Sequence, residues 1–143
     1  MSPVPANLAA ERLQAFLDAM PYARFLGLRA EMAGDEMTAI LPFAPHLVGN
    51  TMLPALHGGV IGAMMELTAL AQLAVIQESS RAAKTIDITI DYLRPGLALT
   101  AYARADVRKI GRQIASVHVE AWQEIPSRPF AALRGHFLLS DRS

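Results

Sequence analysis

Leu56-His57-Gly58-Gly59-Val60-Ile61-Gly62-Ala63-Met64-Met65-Glu66-Leu67-Thr68-Ala69-Leu70-Ala71-Gln72-Leu73-Ala74-Val75-Ile76-Gln77 is the stretch on which the fold turns. Pro54 and the glycine pair mark its start and Glu78-Ser79-Ser80 its end. Between them the pattern predicts one helix over residues 58–79, roughly 30 Å long at 1.5 Å rise per residue. Apolar residues fall on nearly every side, so this helix belongs inside a folded domain rather than on its surface. One carboxylate, Glu66, interrupts the run. At about 100° per residue it shares a face with Gly59, Gly62, Ala63, Ala69, Leu70 and Leu73, while Thr68 and Gln72 point the opposite way.

An ionised carboxylate against apolar neighbours costs several kcal/mol in effective terms unless it is paired or open to a ligand. Two readings follow. Glu66 pairs with a basic residue of a neighbouring strand or emerges at a subunit boundary, as ion-pair networks also bury carboxylates. Alternatively it is poised as a general base or nucleophile, with the helix N-terminus at Gly58-Gly59 offering N–H groups and a positive dipole end to a developing oxyanion. His57 likewise reads either as a cap on the helix start or as part of a site.

Outward from the helix, Asn7 is placed to cap a first helix over Leu8 to Met20, where Leu13, Phe16, Leu17 and Met20 recur at helical spacing. Pro21 stops it, and Pro21 to Leu26 reads as one further helical turn before Gly27. Leu28 to Met32 and Met37 to Phe43 flank Gly34-Asp35 and predict a hairpin. Ala44 to Ala55 is a loop feeding the helix, with His46, Gly49 and Asn50 in it, and loops of this kind are often functional.

Beyond the helix, Thr85, Asp87, Thr89 and Asp91 alternate with Ile86, Ile88, Ile90 and Tyr92, predicting a strand with one wet and one dry face. Leu99 to Val107, Ile114 to Trp122 and Phe130 to Leu139 add three strands, the first two joined through Arg108-Lys109-Ile110-Gly111-Arg112. One long helix followed by antiparallel strands, with no alternating βαβ pattern, is an α+β arrangement.

At 143 residues the chain reads as one domain: a helical extension at 1–27, then sheet plus central helix at 28–140. Hydrophobic residues make up 52% and charged residues 18%, apolar enough to imply a further buried interface and hence a homo-oligomer. Lys plus Arg balance Asp plus Glu at 13 each, so no net field favours nucleic acid or an anionic membrane. The absence of cysteine excludes disulfides, thiolate metal sites and a Cys nucleophile. The N-terminus lacks the pattern of a signal peptide, and the central apolar run reads as too short and too polar at its middle for a bilayer span; the expectation is a cytoplasmic protein. The scattered histidines His46, His57, His118 and His136 form no metal-binding spacing. No phosphate-binding loop, Rossmann glycine triplet or Gly-x-Ser-x-Gly elbow is present.

The His57-Gly58-Gly59 start, Glu66 nine residues after the His, and Asp91-Tyr92-Leu93-Arg94-Pro95 together resemble the hotdog-fold acyl-CoA thioesterases of the phenylacetate-degradation (PaaI-like) group. The resemblance runs from about Leu28 to Leu139. It implies an antiparallel sheet wrapped around the central helix, here with an extra N-terminal helix, and dimers that pair sheets edge to edge and assemble into tetramers. It implies hydrolysis of an acyl-CoA thioester with no cofactor, coenzyme A entering only as part of the substrate. Glu66 takes the role of general base or nucleophile, facing the His-Gly-Gly segment of the partner subunit. The Gly59 N–H polarises the thioester oxygen, His57 orients the loop or bonds near the carbonyl, and Thr85 falls where some members place a Ser or Thr that positions water.

Three departures stand out: Glu66 where Asp is commoner, Thr51 where many members have Asn, with Asn50 one residue further back, and an apolar loop Met52-Leu53-Pro54-Ala55. Gly58 belongs to the substrate-binding segment. Arg94, Arg108, Lys109 and Arg112 read either as solvated strand ends or as cations for the phosphates of coenzyme A. Two other functions remain open. A hotdog dehydratase or hydratase would need His46 as its catalytic His, and a non-catalytic acyl-CoA-binding dimer would hold its ligand without turnover. Pocket depth depends on how Met64, Met65, Leu53 and the first helix pack across subunits.

Overall fold

The computed structural model describes residues 5–33, 36–77 and 83–139. The Gly34-Asp35 turn, the Glu78-Ser79-Ser80 stop and the ends of the chain lie outside the described residues. The helices are α1 (Ala6–Ala19), α2 (Pro21–Leu26) and α3 (Gly58–Ile76). The strands are β1 (Arg29–Ala33), β2 (Glu36–Leu41), β3 (Val48–Asn50), β4 (Ala55–Leu56), β5 (Lys84–Tyr92), β6 (Ala101–Ile110), β7 (Ile114–Trp122) and β8 (Ala131–Leu138). Six of them form one antiparallel sheet in the order β1-β2-β6-β7-β8-β5, and β3 pairs with β4 in a small ribbon.

The sheet curls around α3, the arrangement of a hotdog fold with an N-terminal helix added. Its inner face is rich in small residues, Ala101, Ala103, Ala115, Ala121 and Ala131, all buried, which lets the helix settle close to the strands. Met64, Met65, Ala69 and Leu73 are fully buried from the helix side. Thr68 is equally buried and donates its hydroxyl to the Met64 carbonyl at 2.7 Å, so no polar atom is left unsatisfied there. By length and hydropathy α3 is apolar enough to cross a bilayer, contrary to the reading from sequence. But 61% of its apolar window is buried inside the fold, as in the core helix of a compact domain.

The N-terminal extension packs on another flank of α3, with Ala9 and Leu13 against Ala71 and Val75. The Arg12 guanidinium donates to the carbonyls of Val75 at 2.9 Å and Gln77 at 3.3 Å, placing a cation where α3 ends with orphan carbonyls and a negative dipole end. α1 starts at Ala6 with Pro5 before it, so Asn7 sits inside the first turn rather than capping it. Pro21 opens α2 at a position where a missing N–H costs nothing. Gly27 closes α2 at φ 76°, the left-handed conformation that glycine adopts without strain.

Two differences from expectation bear on the site. β6 runs to Ile110, so Arg108 and Lys109 lie on the strand rather than in the connecting turn, with a register irregularity between Val107 and Lys109. In β5 the register slips between Thr85 and Asp87: Thr85 faces Phe137, Asp87 faces His136, and Ile86 is the extra residue. Phe137 is buried on the helix side, so this bulge turns Thr85 inward. Strict alternation would have put Thr85 on the wet face with Asp87.

Candidate active site

Glu66 lies midway along α3, half-buried, and the inward turn of Thr85 brings a hydroxyl to it: Thr85 Oγ1 donates to Glu66 Oε2 at 2.7 Å. Among the described residues no Lys, Arg or His forms an ion pair with Glu66. The carboxylate is therefore oriented by a neutral donor on one oxygen while its other oxygen keeps its acceptor capacity.

The start of α3 is built around His57. Its backbone N–H donates to the Leu47 carbonyl at 2.9 Å, and its carbonyl accepts from Val60 at 3.0 Å and Ile61 at 3.1 Å. Its ring Nδ1 accepts from the Gly59 N–H at 2.9 Å, making His57 the N-cap. With Nδ1 accepting, the ring proton sits on Nε2. Gly59 therefore does not offer a free N–H, in contrast to the expectation from sequence. Of the first four helical N–H groups only that of Gly58 has no acceptor among the described residues. The cap satisfies one donor and leaves the one nearest the tip without an acceptor among the described residues.

Two neighbours that sequence reasoning assigned no role hold this tip. Tyr92, at the end of β5, donates its hydroxyl to the Gly58 carbonyl at 2.8 Å. Gly49, in β3, packs so closely that a Cβ there would lie 2.7 Å from the His57 Cα. The Asp91-Tyr92-Leu93-Arg94-Pro95 run was legible as a motif, but nothing local to it points at Gly58. A lone Gly in a loop gives still less signal.

Within one chain, among the described residues, Asn50 makes no hydrogen bond to Glu66. Its Oδ1 accepts from the backbone N–H of Met52 at 2.9 Å and of Leu53 at 3.3 Å, a side-chain turn that shapes the exposed apolar tip Met52-Leu53. Of the residues expected to set pocket depth, Met64 and Met65 are fully buried in their own chain, whereas Leu53 and, on the first helix, Leu8 are exposed. Arg94 is exposed beside the helix tip, just past Tyr92. Arg108 and Lys109 lie on β6, three strand spacings or about 14 Å from the β5 edge, with Arg112 in the turn to β7, all toward the Thr85 end of the strands and away from the Arg94 end. Arg108 is already paired with Asp106 at 2.7 Å. His46 bonds the Phe25 carbonyl at 3.1 Å and sits edge-on to the Phe25 ring, a structural tie away from Glu66. No three metal-ligating side chains converge among the described residues.

Within one chain the acid and the free N–H are eight helical residues apart, about 12 Å along the axis. That is too far for both to touch one carbonyl group.

Comparison with known proteins bears on what this arrangement does. The thioesterase superfamily sequence model matches residues 53–129. The chain is 32% identical over 124 residues to the medium/long-chain acyl-CoA thioesterase YigI of Escherichia coli K12, covering 76% of this chain and 79% of that protein. A solved Chromobacterium violaceum protein is 37% identical, with a TM-score of 0.74 over 97% of this chain and 100% of that one. The Escherichia coli PaaI protein of the phenylacetic acid degradation operon superposes with a TM-score of 0.81 at 22% identity, over 95% of this chain and 96% of that one, a likeness of fold.

Proposed function

This chain belongs to the thioesterase superfamily, and from that we propose that it hydrolyses acyl-CoA thioesters to a free acid and coenzyme A. The observation that carries the reading is Glu66: a half-buried carboxylate on the core helix, oriented by Thr85 and without an ion-pair partner among the described residues. One oxygen is fixed and the other is open to water or substrate, the arrangement a general base requires. YigI, named for medium- and long-chain acyl-CoA, points to acyl groups of that class, and the apolar tip Met52-Leu53 suits them.

The reaction follows from these groups. Glu66 accepts a proton from water as the water oxygen bonds to the thioester carbon. The carbonyl oxygen gains the charge and is met by the Gly58 N–H, backed by the helix dipole. Collapse of the tetrahedral species breaks the carbon–sulfur bond, and the departing thiolate takes up the proton held by Glu66. Direct attack by the carboxylate would form an acyl anhydride on Glu66 instead. Label in the Glu66 side chain after a single turnover in ¹⁸O-water would mark the anhydride route, with water attacking the Glu66 carboxyl carbon, since the general-base route never places label there.

The 12 Å gap between Glu66 and Gly58, about eight residues of helix, is bridged by a second copy. β5 is an unpaired sheet edge, and on it Ile86 is 51% and Tyr92 54% exposed in the single chain. Antiparallel pairing of two β5 edges about a two-fold axis brings the Thr85 end of one strand beside the Tyr92 end of the other. Glu66 of one copy then meets Gly58 of its mate, with Arg94 of the mate at the rim for a phosphate of coenzyme A. With β5 paired, β1 remains the free edge of the sheet in each copy, open to further pairing into a dimer of dimers.

Mixed dimers test the shared site. Gly58→Pro removes the N–H while keeping the helix start, since proline suits the first helical position and His57, at φ −63° and ψ 133°, already has the backbone that precedes proline. Glu66→Gln and Gly58→Pro dimers are each expected to retain no more than about 1% of wild-type turnover. Co-expressed, half the dimers are mixed and each carries one intact composite site, restoring about a quarter of wild-type turnover. Mixed dimers as inactive as the parents would overturn the shared site.

A further inference from the structure

The residue offering the free donor is a glycine, the residue with the widest choice of φ and ψ. An N–H that must meet an oxyanion cannot be left to swing, so the peptides on both sides of Gly58 have to be fixed from outside. The preceding peptide is fixed by His57, whose carbonyl takes the Val60 and Ile61 N–H groups. The following peptide is held at both ends: its N–H, that of Gly59, donates to His57 Nδ1 at 2.9 Å, and its carbonyl, that of Gly58, accepts the Tyr92 hydroxyl at 2.8 Å. Tyr92 thus adds a hold from outside the helix to a carbonyl that the helix ladder already engages through the Gly62 N–H. Its ring also lies along Gly58, with the Cζ and hydroxyl 3.6 Å from where a Cβ would stand, an ordinary contact that leaves the hydrogen bond unstrained.

We propose that Tyr92 is a positioning residue for thioester hydrolysis, its hydroxyl fixing the Gly58 peptide so that the Gly58 N–H is aimed at the thioester oxygen. The proposal rests on the reading that Gly58 is the oxyanion donor. β5 then serves both halves of the chemistry: its Thr85 end orients the carboxylate and its Tyr92 end orients the donor. The two ends act in different sites of the dimer, since each site takes its acid from one copy and its donor from the other.

Tyr92→Phe deletes the hydroxyl and keeps a ring that is about half exposed, so folding is retained. The expected result is a fall in kcat of about three- to tenfold, the worth of one hydrogen bond, with KM for the acyl-CoA within about twofold. The same substitution in a Gly58→Pro background is expected to change turnover by less than about 1.5-fold, because the donor it acts through is gone. An unchanged kcat for Tyr92→Phe, a change confined to KM, or full additivity of the two substitutions would each overturn the role of Tyr92. Wild-type turnover in Gly58→Pro alone would instead remove the oxyanion reading, so the two failures are told apart.

Discussion

Glu66→Gln changes one carboxylate oxygen to an amide nitrogen and leaves volume and shape in place. The structure sets what this should cost in stability. Glu66 takes part in no salt bridge among the described residues, and its one side-chain hydrogen bond, from Thr85 at 2.7 Å, is kept if the amide turns its oxygen to the hydroxyl. What is lost is the charge assistance of that bond, about 1 kcal/mol, offset by no longer desolvating a half-buried charge. The melting temperature should therefore stay within about 4 °C of wild type. Activity should respond on another scale. An amide cannot accept the proton of an attacking water, and a positioned general base contributes at least about a hundredfold, or about 2.7 kcal/mol of barrier. Release of free thiol from a medium- or long-chain acyl-CoA, followed with a chromogenic thiol reagent, measures this directly. Turnover within about threefold of wild type in a normally folded variant would refute a catalytic Glu66, since no base effect is that small. It would also revive the reading of a dimer that binds acyl-CoA without hydrolysing it.

Thr85→Val removes the donor to Glu66 but keeps a β-branched side chain on the strand; turnover should fall about tenfold, and Thr85→Ser should retain most of it, in the same thiol assay. Arg12→Met deletes the side-chain bonds to the last carbonyls of α3 while keeping the length of the stem. Unfolding in urea should show a loss of about 1–2 kcal/mol with kcat unchanged. Gly49→Ala forces a methyl to 2.7 Å from the His57 backbone, which cannot move without shifting the helix cap, so about 1–3 kcal/mol of stability should go together with most of the turnover. Gly62→Ala meets the flexible terminal methyl of Ile90 at 2.8 Å and the Tyr92 hydroxyl at an ordinary 3.6 Å, and should be tolerated in both measurements.

Much of this protein is written in local pattern. The apolar run with one acid predicts a buried helix with Glu66 on it, because helical periodicity is a property of neighbours in sequence. All four late strands and the N-terminal helix follow from the same kind of repeat, and their ends move by only a few residues. The capping role of His57 was also open to a sequence reading, since a residue just before a helix start is placed to accept its free N–H groups.

Tertiary structure decided which atoms face which. The side of β5 on which Thr85 falls depends on a bulge opposite Phe137, a residue far along the chain, and without it the hydroxyl would point to solvent rather than to Glu66. Which glycine N–H is left free depends on where the His57 ring lies, and that is fixed by the close approach of Gly49 and by the Leu47 carbonyl. The hydroxyl on the Gly58 carbonyl comes from a tyrosine 34 residues away. Sequence periodicity encodes burial and direction within an element; the pairing of one donor with one acceptor across elements is set only when the chain closes on itself, because a hydrogen bond is won or lost over a few tenths of an ångström.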